Sequence, residues 1–362
     1  MSDRRHNFNA GPAALPLEVL LEAQEQFVNY AGAGMSIMEM SHRSGIYEQL
    51  NAETQSLMRE LLNIPDNYHV LFLQGGASTQ FAMVPLNLLT GGRVAAYVET
   101  GSWASKALKE AKLIGETAVV ATSKPEEYRR MPDLSGLVLP DNAAYVHVTS
   151  NETIQGTQFK SFPDTGGVPL VADMSSDIMS RPIDVSKFGI IYAGAQKNLG
   201  PSGVTVVIIR DDLAYVAPEH VPTMLRYETH VKDKSLYNTP PTFSVYMVNL
   251  VLKWIKAKGG VEAIEKANAE KAAVIYEEID RSGGFYRGFA HPDSRSPMNI
   301  TFRIADEALE PVFVKESEKE GFVGLKGHRS VGGLRASAYN AVPLESCKAL
   351  AEFMADFRRR HG

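Results

Sequence analysis

Cysteine is almost missing: the 362-residue chain has one, Cys347. A single thiol forms no internal disulfide, and a reduced, intracellular setting is the simple inference. The nine histidines show no metal-ligand spacing, and with one cysteine no structural zinc set can be assembled, so no metal is expected. Positive charge is not in excess either. Thirty-seven Lys and Arg against 42 Asp and Glu leave a net charge of −5, which argues against nucleic acid or an anionic membrane as the main partner. No apolar run approaches the ~18 residues of a membrane span. Residues 1–15 carry Asp3, Arg4, Arg5 and His6 where a secretory signal would be apolar. A soluble, cytoplasmic protein is expected.

What is present is an ordinary globular composition, 44% apolar and 22% charged, in a chain long enough for roughly two domains of ~150 residues. Short, uninterrupted, β-branched runs at 169–172, 190–195 and 204–209 suit strands covered on both faces, and further short strands are expected at 70–74, 94–98 and 144–149. Helix-sized segments separate most of them, which predicts an α/β fold with a large, mostly parallel sheet. The 195–204 connection is too short for a helix, so the last pair is expected to be antiparallel. Helices are expected at about 16–30, 47–62, 243–258, 261–281, 308–320 and 343–359. The 261–281 segment carries Glu262, Lys266, Glu270 and Lys271 and reads as a solvated connector to a second unit, with short strands at 298–304, 322–326 and 334–339. The expected division is a large domain over 16–260 and a small C-terminal domain over 261–362, with residues 1–15 packing nearby.

Asp173 and Lys197 each follow a predicted strand, and ligands of such sheets sit beyond the carboxyl ends of the strands. A carboxylate and a lysine arriving at one crevice suggest a pyridoxal phosphate site. There the amine takes the cofactor's aldehyde and the carboxylate keeps the pyridine nitrogen protonated. A plain ion pair at a strand end would present the same two residues, and this stretch leaves both readings open. The turn Gly75-Gly76-Ala77-Ser78-Thr79 before a helix is an anion site in form, although neither a Walker motif nor GxGxxG. Trp103 and Thr153 fall at the same rim, one offering a flat ring to stack on a pyridine and the other a hydroxyl donor. The triplet His42-Arg43-Ser44 returns as His328-Arg329-Ser330, and Arg335 follows in a predicted strand. Arginines there suit a two-pronged grip on carboxylate or phosphate.

Taken in order, FNAGPAALP, MEMSHRS, LFLQGGASTQF, TGSWASKALKEAK, HVTSNETIQGTQF, VADMSSDIMSRPIDVSKFGIIYAGAQKNLGPSGVT, YNTPPTFS and LKGHRSVGGLRASAYNAVP run from one end of the chain to the other. The set resembles the phosphoserine aminotransferases, in the class V branch of the fold type I pyridoxal phosphate enzymes. The resemblance implies a seven-stranded, mostly parallel sheet between helices plus a small α+β C-terminal domain. It implies pyridoxal 5'-phosphate as cofactor and amino transfer between L-glutamate and 3-phosphohydroxypyruvate, in serine biosynthesis. 4-Phosphohydroxythreonine, the vitamin B6 substrate of some members, is left open.

Residue by residue, the resemblance makes Lys197 the Schiff-base lysine, Asp173 the partner of the pyridine nitrogen, and Trp103 the stacking ring. Thr153 becomes the donor to the phenolic oxygen, and Ala77, Ser78 and Gln196 hold the phosphate. Asn238 and Thr239 would reach the phosphate of a neighbouring subunit's cofactor, which implies a homodimer. Arg335 would clamp the α-carboxylate. His42, Arg43, His328 and Arg329 would form a distal anion pocket, partly lent across the dimer. Some members have arginine where this chain has Ser78, so backbone N–H groups and the hydroxyl must carry more of the phosphate here. Three other readings remain in view: a cysteine desulfurase relying on Cys347, an alanine–glyoxylate type transaminase, and a non-catalytic phosphate-binding module.

Overall fold

Seven strands make the central sheet of the computed structural model, which describes residues 4–362; residues 1–3 of the expected N-terminal segment lie outside it. In chain order they are β1 (Tyr68–Leu73), β2 (Val94–Glu99), β3 (Thr117–Thr122), β4 (Ala143–Thr149), β5 (Leu170–Asp173), β6 (Ile190–Gly194) and β7 (Thr205–Arg210). Across the sheet the order is β1-β7-β6-β5-β4-β2-β3. Only β7 is reversed, pairing antiparallel with both β6 and β1, as the short 195–204 connection requires.

Both faces are covered, and the alternation along each strand shows why. Val70, Phe72, Ile191, Ala193, Val206 and Ile208 face one core with helices α1 (Leu17–Glu25), α2 (Gly45–Leu62) and, later in the chain, α5 (Thr242–Ala257). Leu71, Leu73, Ile190, Tyr192, Val207 and Ile209 face the other, under α3 (Gly76–Leu88) and α4 (Ser102–Ala111). The runs read from sequence supply six of the strands. The seventh, β3, is an edge strand with no fully buried residue, so it lacks the apolar run that marks the others.

The chain continues through α6 (Gly260–Asp280) into a three-stranded antiparallel sheet, order β8-β9-β10 (Tyr286–Gly288, Asn299–Ile304, Leu334–Ser337), with α7 (Glu310–Lys319) and α8 (Leu344–His361). Its core gathers Ile300, Phe302, Phe313, Phe353 and Phe357, together with Phe8 from the N-terminal segment, which adds a two-residue parallel pairing of His6–Asn7 with Phe322–Val323. Helix α6 corrects the expectation of a solvated connector. Lys271 and Glu278 are 3% and 0% exposed. Lys271 Nζ donates to Tyr339 O at 2.7 Å, and Glu278 accepts from Arg281 and Arg358. Charged residues stay buried here because each has its own partner, Tyr339 O for Lys271, and for Glu278 Arg281 at the end of the same helix and Arg358 of α8. The division at 260/261 stands as a proposal, and α6 crosses it: Val261 and Ile264 pack in the large core, Ala272, Ile275 and Ile279 in the small one.

Candidate active site

Because β1, β2, β4, β5 and β6 point the same way, the turns that leave them open on a single edge of the sheet. A cavity of about 290 Å³ lies there, lined by Ala77, Ser78, Trp103, Thr153, Asp173, Gln196, Lys197, His328 and Arg335. Nine of the residues singled out in the sequence are thus brought together within one chain.

Asp173 ends β5 and is 5% exposed. Its Oδ1 accepts from Ser175 N at 2.9 Å and Ser175 Oγ at 2.6 Å, which fixes the carboxylate's direction. Burial pushes its pKa up, against the opposing pull of the Ser175 bonds and Lys197. Lys197 follows β6 and sends Nζ to Thr153 Oγ1 at 2.6 Å, 5.6 Å from the centre of the Trp103 ring. Burial lowers its pKa to about 8, with Asp173 resisting the shift and Arg335 adding to it. At pH 7 roughly one molecule in ten then carries a neutral amine, against about one in 2,500 for a free lysine.

The glycine turn leads into α3 with Gly75 at φ 92° and Gly76 at φ 66°. A Cβ on Gly75 would run into the Thr79 side chain, so the turn requires glycine. It leaves the first N–H groups of α3 without intrahelical acceptors, and Gly76, Ala77 and Ser78, which carry the first of them, line the cavity. Trp103 is the second residue of α4, and Glu152 sets where that helix begins. The Glu152 carboxylate, fully buried, accepts from Trp103 N at 3.1 Å, Ala104 N at 3.0 Å and Thr100 Oγ1 at 3.3 Å. Burial lifts its pKa to about 7 despite these bonds. Gly101 permits the approach, since a Cβ there would sit 2.5 Å from Glu152 Cδ.

At the mouth, Arg335 on β10 donates Nη1 to Thr153 O at 3.3 Å, and its Nε is buried without a partner. His328 opens a turn ahead of β10, its carbonyl accepting from Val331 N at 3.0 Å. Burial lowers its pKa, and Arg335, Lys106 and Arg329 lower it further, as converging positive charges must. Lys106 Nζ stands 4.0 Å from the Trp103 ring centre.

Five expected residues lie outside this cavity. Asn238 lines a separate cleft behind the glycine turn, where Gln74 Nε2 donates to Thr239 O at 3.1 Å. His42 is buried with Nε2 unpartnered, Arg43 is exposed, and the Ser44 hydroxyl caps α2 at Tyr47 N. Arg329 is exposed and lines a separate cleft. Glu152, Ser175 and Lys106 were not singled out from sequence. Glu152 sits inside the quoted HVTSNETIQGTQF motif, but nothing local shows that its carboxylate caps a helix some 50 residues earlier.

The cavity suits a flat, phosphorylated pyridine aldehyde. Thr149 Oγ1, Asn151 Oδ1, Trp103 Nε1 and Arg335 Nε are buried polar atoms with no partner in the chain, and Thr149, Asn151, Trp103 and Arg335 all line this cavity. With the α3 N-terminus at one end and Asp173 and Lys197 on its walls, the donors and acceptors match such a group.

The family model for aminotransferase class-V matches residues 5–350. The chain is 66% identical to the phosphoserine aminotransferase of Niallia circulans over 362 residues, all of both chains. Among solved structures, a phosphoserine aminotransferase from Bacillus circulans subsp. alkalophilus is 66% identical with a TM-score of 0.99, each chain fully covered. One with PLP bound, from Trichomonas vaginalis, is 40% identical with a TM-score of 0.93, covering 97% of this chain and 100% of that one.

Proposed function

The chain belongs to the class-V aminotransferases, a pyridoxal 5'-phosphate-dependent family, and from that premise we infer its reaction. It transfers the amino group between L-glutamate and 3-phosphohydroxypyruvate, giving O-phospho-L-serine and 2-oxoglutarate, a step of serine biosynthesis. The observation that carries the reading is that Arg335 and His328 line one cavity with Lys197 and Asp173, with Lys106 close enough to His328 to lower its pKa by charge. Both amino donor and acceptor carry a second anionic group besides the α-carboxylate, and one pocket has to take a side-chain carboxylate and a phosphate in turn.

When bound, the cofactor supplies an aldehyde that takes up amino groups and a ring that draws electrons from the substrate α-carbon. The chain's own residues do the rest. Ala77 and Ser78, at the start of α3, hold the phosphate with Gln196. Asp173, aimed by Ser175, keeps a proton on the pyridine nitrogen. Trp103 covers one ring face, and Thr153 donates to the phenolic oxygen. Lys197 Nζ would take the proton from the substrate α-carbon and deliver it to the cofactor carbon that carried the aldehyde, a task its lowered pKa suits at neutral pH. Arg335 grips the α-carboxylate with its forked N–H groups.

A homodimer completes the site in this reading. Asn238, Thr239, His42, Arg43 and Arg329 lie outside the cavity of their own chain, and they would serve a partner's. Exposed Leu21, Phe27, Val28, Met35 and Met38, ahead of His42 in sequence, supply apolar surface for such a contact. Equilibrium sedimentation should therefore return about twice 39.7 kDa; a monomer with full activity would remove the shared site. Among the described residues no helix is long and apolar enough to cross a membrane, and we place the enzyme in the cytoplasm.

The substrate is tested by colour. The loaded protein should show a visible absorption band that glutamate abolishes and 3-phosphohydroxypyruvate restores, while pyruvate and glyoxylate do not. Equal restoration by pyruvate or glyoxylate would keep the cofactor and overturn the substrate.

A further inference from the structure

The turn after β4 and the start of β9 meet along a buried seam with one asparagine at its centre. Asn299 is 0% exposed. Its Oδ1 accepts from Asn151 Nδ2 at 2.8 Å, and its Nδ2 donates to Ser337 Oγ at 3.0 Å and Tyr339 OH at 3.1 Å. One acceptor and two donors are thereby used, which sets the direction of the amide. The seam is closed around it. Thr301 Oγ1 donates to Ile154 O at 3.1 Å and Ser296 N to Gly156 O at 2.9 Å. A Cβ on Gly156 would stand 2.6 Å from Asn299 O, so the strand and the turn lie in direct backbone contact.

Each partner of Asn299 leads to a reacting group. Asn151 is two residues before Thr153, whose hydroxyl receives Lys197 Nζ. Ser337 is two residues beyond Arg335 on β10 and so shares its face. Tyr339 OH passes on to Ala10 O at 2.8 Å, and at neighbouring Gly11 a Cβ would lie 3.2 Å from Lys197 Cγ. The amide therefore stands where the lysine's supports and the arginine's strand come together.

We propose that Asn299 is a positioning residue that fixes the separation of Lys197 from Arg335 by tying the 151–153 turn to β10. The proposal rests on the amino-transfer reading, in which Arg335 grips the α-carboxylate while Lys197 works at the adjacent carbon. Such a pair tolerates little slack, since a misplacement of about 1 Å can cost about 100-fold in rate. Asparagine suits the position because aspartate lacks the two donors and leucine lacks all three bonds.

Two variants test it: Asn299→Leu, which keeps the volume and removes every bond, and Ser337→Ala, which removes one. For each, the visible band of the loaded protein, the melting temperature, the KM and kcat for glutamate, and the affinity for glutarate (a dicarboxylate with no amine to transfer) are measured. Asn299→Leu should keep the visible band, weaken glutarate binding at least about tenfold and lower kcat/KM for glutamate about 100-fold; Ser337→Ala should lose about three- to tenfold. A variant that melts earlier, yet binds glutarate and glutamate within about twofold of the parent, overturns the proposal and leaves Asn299 a core amide. If Asn299→Leu does not fold, Ser337→Ala decides by the same criterion. If the unsubstituted protein neither takes up colour with pyridoxal phosphate nor binds glutarate, the amino-transfer reading itself has failed.

Discussion

Lys197→Ala should abolish turnover and remove the visible band that pyridoxal phosphate gives with the parent protein. Loss of a positioned acid–base group alone is worth about 10²–10⁴-fold, and the covalent hold on the cofactor is lost with it. The pH profile of the parent gives an independent check. Only the neutral amine attacks an aldehyde, and burial brings the Lys197 pKa to about 8. The rate at which cofactor-free protein takes up pyridoxal phosphate should thus rise about tenfold per pH unit below pH 8 and level off above it. A lysine with an unshifted pKa would keep the rate rising past pH 10. Lys106 is the other amine near the Trp103 ring, 4.0 Å from its centre. If the alanine variant keeps the band and turns over within tenfold of the parent, the reactive amine has been misassigned, and Lys106 becomes the candidate.

Asp173→Asn should move activity and stability in opposite directions. The asparagine has the same shape and can still accept from Ser175 N, but it cannot hold a proton on a ring nitrogen by charge. Losing one member of a buried charge pair costs about 2–5 kcal/mol, which is roughly 30- to several-thousand-fold in kcat. The cofactor-free protein should melt no lower than the parent. Folding raises the Asp173 pKa through burial, so the charged carboxylate costs stability at every pH above its unfolded value, and the neutral amide relieves that cost. The simple ion-pair reading of Asp173 and Lys197 predicts the reverse. The cofactor-free variant would then melt lower, with little change in turnover. Melting curves with and without cofactor, set beside kcat, separate the two.

The local pattern of this chain carries a great deal. Short, largely apolar runs locate six of the seven sheet strands, because a strand buried on both faces admits few polar residues, and one it does admit, His147, is bonded to Tyr192 OH inside the core. The same runs put Asp173 and Lys197 at strand ends, and the Gly75-Gly76 pair marks the start of α3. Only the tertiary structure decides which cations share the cavity: Arg335 and His328 arrive, while His42, Arg43 and Arg329 do not within one chain. It also decides that α6 is buried at Lys271 and Glu278, that Glu152 bonds the start of the helix bearing Trp103, and that Asn299 ties β9 to Asn151 after β4. The physical reason is common to all of these. Periodicity reports which side of an element is dry, whereas a buried polar group is stable only through its partners, and those lie elsewhere in the chain, as far as the 329 residues that separate Tyr339 from Ala10.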